Sequence, residues 1–236
     1  MKKEIITDYE VLSERSDEVN TRKEGDVFRA IILDLKDTIL ENDIPALSAI
    51  QIGIPKRVFT INFNKRRKVF VNPFITSCEQ FMFSRESSPC LPGKEFIVPR
   101  YGKIEATYQD PLGKIQSAKF VGASAFIFQQ MVDSLEGILP CDIGLEIDEN
   151  FDKASDDEKA ELLKAFAESL DLKVKELHEE IQNDPKLKEM DDGIKFLTAV
   201  QKGEVKTEKY QLTDEEVENW KNRHEEELSE NEPDTN

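Results

Sequence analysis

Cys90 has the most chemical potential of any residue in this chain, and the sequence supplies no obvious base to activate it. A cysteine attacks through its thiolate, which takes a partner imidazole or a depressed thiol pKa. The chain has two histidines, His178 and His224, and both lie in an acidic C-terminal stretch, so residues 1–144 contain none. A buried, inert thiol is therefore the simpler reading of Cys90. With Cys78 and Cys141 it makes an odd set of three without paired spacing, which suits reduced thiols and a cytoplasmic setting.

The elements that position such residues are read from periodicity. Residues 21–42 place Val27, Ile31, Leu35 and Ile39 at helical spacing, with Phe28 and Leu40 beside them. From Arg57 the texture changes to short β-rich runs, RVFTINF, KVFVNPFI, EFIVPR and KIEATYQD, divided by turn-forming and charged residues. Ala123 to Leu139 returns to helical character, with Phe126, Phe128, Met131 and Leu135 among its apolar positions, and is expected to bury against the sheet. One helix, several antiparallel strands and a central helix make an α+β domain. Beyond it, Ser155 and Glu158 form a capping box that opens a long helix to about Gln182. A further helix begins at Asp184-Pro185, and another, capped by Thr213 and Glu216, carries Trp220 with Val217 and Leu228. Residues 229–236 are expected to be disordered.

Charge divides the chain the same way. Residues 1–144 carry 19 Lys and Arg against 20 Asp and Glu, whereas residues 145–236 carry 13 against 29, so nearly all of the net charge of -17 belongs to the tail. Such a surface does not suit a phosphate backbone, and a nucleic-acid partner is not expected. The one basic run, Lys65 to Lys68, reads as the solvated turn of a hairpin. The acidic tail suits a protein partner with a basic face. No apolar run is long enough to span a bilayer, and no secretory leader is evident, so a soluble intracellular protein is expected.

Three blocks, in order, resemble the peptide deformylase family, metalloenzymes that remove the formyl group from N-terminal methionine. Ile44-Pro45-Ala46-Leu47-Ser48-Ala49-Ile50-Gln51-Ile52-Gly53 stands where the family has Gly-x-Gly-Leu-Ala-Ala-x-Gln-Ile-Gly. Ser88-Pro89-Cys90-Leu91-Pro92 stands for Glu-Gly-Cys-Leu-Ser, and the segment from Gln129 to Leu139 for Gln-His-Glu-x-x-His-Leu-x-Gly-x-Leu. The resemblance covers roughly residues 5–142 and implies antiparallel sheets around a central helix, followed by an α-helical extension. The expected division is a deformylase-like domain over 1–144, an acidic helical extension over 145–228 and a tail over 229–236.

The resemblance also implies roles. The family binds a divalent metal through the Cys and both His of these blocks, with the Glu as acid/base, while the Gln and the backbone N–H after the Cys stabilise the oxyanion. Transferred by position, Gln51, Cys90 and the Leu91 N–H are kept, but Gln130, Met131 and Ser134 replace His, Glu and His. No catalytic residue, metal ligand or cofactor is therefore expected. Recruiting Asp133 or Glu136 beside Cys90 is disfavoured, since those positions do not ligate in the family. Gln51, Gln129 and Gln130 either bind a peptide or satisfy one another or water. Arg100 matches a family arginine that pairs with the block-two Glu, now Ser88, which leaves Glu86 as its candidate partner. Ile44 and Ala46 in place of glycines, and Pro89 before Cys90, imply a narrowed cleft. The preferred expectation is a pseudoenzyme serving as a protein-binding or assembly module. The alternatives are a metal-dependent deformylase or amidase with a non-standard ligand set, a non-hydrolytic reader of formyl-Met N-termini and, because deformylase-like genes also occur in phages, a phage accessory or virion-assembly protein.

Overall fold

The computed structural model describes residues 1–21, 23–63 and 66–183. In chain order the elements are α1 (Tyr9–Leu12), α2 (Gly25–Asn42), β1 (Ala46–Ser48), β2 (Val58–Phe63), β3 (Arg66–Ser87), β4 (Glu95–Gln109), β5 (Ile115–Val121), α3 (Ala123–Leu135), α4 (Pro140–Ile143), β6 (Leu145–Ile147), α5 (Glu149–Lys153) and α6 (Asp156–Asn183), with a 3-10 turn at Ile50–Ile52 after β1. The strands form one antiparallel sheet in the order β1-β2-β3-β4-β5, and β6 adds to β4.

Alternation along the strands divides the core between the two faces of this sheet. Leu47, Val58, Val69 and Val71 pack with Phe28, Ile31, Ile32, Leu35 and Ile39 of α2. Their neighbours Ala46, Phe59 and Phe70 point the other way, with Ile104, Ala106 and Phe120, to meet Ala125, Phe128, Met131 and Leu135 of α3. Phe128 is the hub of the second layer, with its ring 4.5 Å from Phe120, 5.1 Å from Phe59 and 5.3 Å from Phe70, distances typical of attractive aromatic pairs.

Several expectations shift. The first helix starts at Gly25, and its buried stripe runs through Phe28 and Ile32, leaving Val27 and Leu40 exposed. Arg66, Arg67 and Lys68 lie within β3 and not in a turn, and the Lys68 ammonium sits over the Phe70 and Tyr108 rings at 5.2 and 4.9 Å. EFIVPR and KIEATYQD merge into the single strand β4, which has no turn between them. The central helix stops at Leu135 and not at Leu139. Gly137 there has φ +76°, and a β-carbon on it would lie 2.2 Å from the Ser13 carbonyl oxygen, so the chain must leave the helix at a residue without one. Because β6 pairs with β4, the boundary expected at residue 145 falls inside a compact unit that runs from Met1 to Leu162.

The capping box at the start of α6 forms as read. Ser155 N donates to Glu158 Oε2 at 2.8 Å, and Glu158 N donates to Ser155 Oγ at 3.3 Å. A second unit begins at Leu163. The two later tail helices, Trp220 and the expected disordered end lie outside the described residues. No helix among the described residues is long and apolar enough to cross a membrane.

Candidate functional site

The three motif blocks meet where the 3-10 turn after β1, the turn between β3 and β4, and the middle of α3 come together. Cys90 is buried in a small apolar cluster with Leu12 and Leu139, flanked by Ile5, Ile6 and Leu91. Gln51 is buried beside it and donates from Nε2 to Cys90 Sγ at 3.3 Å, while its Oε1 accepts from Ser48 N at 2.9 Å. Burial pushes the Cys90 thiol up to about 11, against the smaller downward pull of the Gln51 and Ser88 contacts. That describes a thiol that stays protonated near neutrality, as read from the absence of a base.

Ser88 closes the turn that carries Cys90. Its Oγ accepts from Cys90 N at 3.3 Å, and its carbonyl accepts from Leu91 N at 3.0 Å. The Leu91 N–H and the Gln51 amide are therefore both engaged internally. A formyl oxygen reaches these two donors only in exchange for the Cys90 sulfur and the Ser88 carbonyl, in a reader and in a hydrolase alike.

α3 turns a polar edge toward the strands. Ser134 is buried, and its hydroxyl shares a 2.9 Å hydrogen bond with that of Ser48 and lies 2.7 Å from the Met131 carbonyl. Each hydroxyl has one proton, so both bonds are made when Ser48 donates to Ser134 and Ser134 donates to Met131 O. Gln130 Nε2 donates to the Ser87 carbonyl at 3.0 Å. Gln129 occupies a gap along one edge of β4, between the residues paired with β6 and those paired with β5. There its Nε2 donates to Tyr101 O at 2.8 Å and its Oε1 accepts from Tyr101 N at 3.0 Å, as a strand neighbour would. The three glutamines thus satisfy strand and turn groups and Cys90, not one another.

Arg100 anchors the charged half of the site. It is buried and holds Glu86 through two bonds, Nε to Oε1 at 2.7 Å and Nη2 to Oε2 at 3.0 Å, so Glu86 has taken the place of the family carboxylate lost at Ser88. Its third contact is to Asp133 of α3. Desolvation lifts the Asp133 carboxyl above its usual range, against the opposing pull of Arg100. Asp133 is thus a structural ion-pair partner, and Glu136, paired with Arg15 and Arg57, is another. The sequence nominates Glu86, whereas it does not announce the pairing of Asp133 with Arg100 or the part played by the Ser48 hydroxyl.

These residues do not fit the divalent metal that the family motifs call for. Cys90 has the Gln51 amide beside its sulfur, and Gln130, Met131 and Ser134 stand at the positions where two imidazoles and a carboxylate are required. Among the described residues no three His, Cys, Asp or Glu side chains are grouped as a metal site would need.

An antiparallel sheet closed over a central helix, with the Gln, Cys and helix blocks converging beneath it, is the architecture of a peptide deformylase-like fold. The family model for polypeptide deformylase matches residues 2–147, and the chain belongs to that family. A peptide deformylase of Pelagibacter ubique is 34% identical over 122 residues, covering 49% of this chain and 70% of the relative. One from Rhizorhabdus wittichii is 33% identical over 126 residues, covering 48% and 71%. Among solved structures, a Synechococcus elongatus peptide deformylase in complex with actinonin is 26% identical with a TM-score of 0.57, covering 61% of this chain and 79% of that one. A Legionella pneumophila peptide deformylase, 23% identical, matches in fold with a TM-score of 0.58 over 74% of this chain and 98% of that one.

The expectation that the chain is not an enzyme is corrected by these matches. The family is enzymatic, and the relatives and structural neighbours are named as deformylases. Substitution at positions 130, 131 and 134 changes the ligand set, and a changed ligand set is not by itself an absent activity.

Proposed function

We propose that this protein acts on the formylated N-terminal ends of peptides, as a deformylase or amidase whose catalytic set departs from that of its family. The observation that carries the reading is that the kept family residues Gln51 and Cys90 remain in direct contact at 3.3 Å within a chain that matches the family model over residues 2–147. The proposed setting is the cytoplasm.

The chain's own groups limit how a formyl amide would be engaged. Its oxygen takes the Gln51 amide in exchange for Cys90, and the Leu91 N–H in exchange for the Ser88 carbonyl. Such donors count when aimed at the charge that develops on the carbonyl oxygen, where losing one costs on the order of 10²–10³ in rate. The test is hydrolysis of a formyl-Met peptide by the full chain and by Gln51→Ala. Turnover that falls by about that factor in the variant supports the reading. Absence of turnover in the unaltered chain, or turnover indifferent to Gln51, overturns it.

A second reading is favoured by the charge division. With 29 acidic against 13 basic residues over 145–236, that region suits a protein partner with a basic face, in a binding or assembly role alongside the first domain. Loss of a partner on deleting residues 163–236, with retention by the full chain, is the expected result.

A further inference from the structure

We infer that the link a metal makes between the Cys90 turn and the central helix is made here by a neutral hydrogen-bond relay, Cys90–Gln51–Ser48–Ser134, and that this position does not take a divalent cation. The relay is continuous. Gln51 Nε2 donates to Cys90 Sγ at 3.3 Å, Ser48 N donates to Gln51 Oε1 at 2.9 Å, the Ser48 and Ser134 hydroxyls meet at 2.9 Å, and Ser134 Oγ lies 2.7 Å from Met131 O within α3. It begins and ends at two positions, 90 and 134, where the motif pattern calls for metal ligands.

Every side chain in the relay is buried, and each relay atom named above has its partner within the protein. Buried polar groups are retained at low cost only when satisfied in this way, and a group left unpaired costs the full desolvation penalty. A cation entering here would have to break the Gln51 and Ser48 contacts. It would meet one sulfur with hydroxyl and amide groups, and no imidazole and no second anionic ligand in the relay. The third family ligand position is also committed, because Gln130 donates to the Ser87 carbonyl at 3.0 Å and adds a second tie between α3 and the end of β3. Through these ties α3 is held against β1 and the Cys90 turn by hydrogen bonds, so the assembly of the site does not wait on a metal.

The inference concerns the cleft of the function proposed above but stands apart from turnover, since its readouts need no substrate. Anaerobic titration of the full chain with Co²⁺ is read by the thiolate-to-cobalt absorption band and by bound metal per chain, together with thermal melting. The expected result is no stoichiometric cobalt and a melting midpoint unmoved by Co²⁺ or by chelator, while Ser134→Ala, which removes one relay bond, lowers the midpoint by about 2–4 °C. One cobalt per chain, with a band lost in Cys90→Ala, overturns the inference. So does a Ser134→Ala variant that melts where the unaltered chain does. Turnover without cobalt binding leaves both proposals standing, and cobalt binding without turnover removes both.

Discussion

Two buried polar clusters tie α3 to the strands, and they do so by opposite means. On one side Arg100 sits between Glu86 and Asp133, a charged trio with one guanidinium shared by two carboxylates. On the other, Cys90, Gln51, Ser48 and Ser134 are joined without a formal charge. The charged cluster gains its strength from Coulomb attraction that must repay a large desolvation cost, so it is tolerant while whole and fragile once one member is gone. The neutral cluster costs less to bury and loses less when trimmed. The last turn of the helix is thus fixed through Asp133 by an interaction that cannot be partly removed, and through the next residue, Ser134, by one that can.

The sharpest way to break this contrast is Arg100→Met, which strands the buried Glu86 carboxylate and the part-buried Asp133 and should destabilise by about 3–5 kcal/mol in urea unfolding. A loss below about 1 kcal/mol would mean that the trio is solvated and no stronger than a surface pair.

Restoring the family pattern with Gln130→His, Met131→Glu and Ser134→His together converts the neutral cluster into a ligand set. That variant should bind one divalent metal per chain and, at metal a hundredfold over its Kd, gain about 2.7 kcal/mol relative to its own metal-free form. Failure to bind would place the obstacle in the surrounding cleft and not in the three side chains.

Smaller still is the effect of Asp133→Asn, expected within about 1 kcal/mol because Arg100 keeps both bonds to Glu86. The sign of its pH dependence follows from the raised carboxyl. The folded state holds the Asp133 proton at pH values where the unfolded chain has lost it, so this group's contribution to stability declines as pH rises from the ordinary carboxylate range through the raised value. Stability measured against pH should therefore flatten in that window in the variant, and an unchanged profile would contradict the assignment.

Much of this arrangement is legible from spacing. The spacing of Val27, Ile31, Leu35 and Ile39 announces α2, although Val27 proves exposed and Phe28 takes its place in the core; the Ser155 and Glu158 pair announces the start of α6, and Glu86 can be nominated as the new partner of Arg100 from its place in the sequence. The outer part of β3 is not legible, because the register shifts between Val71 and Phe74 and between Ile75 and Ser77 break its alternation, and residues 76–82 are exposed on both faces. β1 and β6, at three residues each, are too short to carry a pattern. The relay is hidden for a different reason. Ser48 and Ser134 lie 86 residues apart, and nothing in a pair of serines announces that they will meet. A missing ligand can be read from a motif, whereas its replacement is a property of the packed fold.

The measurement that tests this account most directly is a double-mutant cycle on Ser48→Ala and Ser134→Ala, followed by urea unfolding. The relay predicts a coupling of about 0.5–1.5 kcal/mol between the two sites, so that the double variant loses less than the two single losses combined. Strict additivity would contradict it, leaving the two hydroxyls as neighbours that hold nothing together.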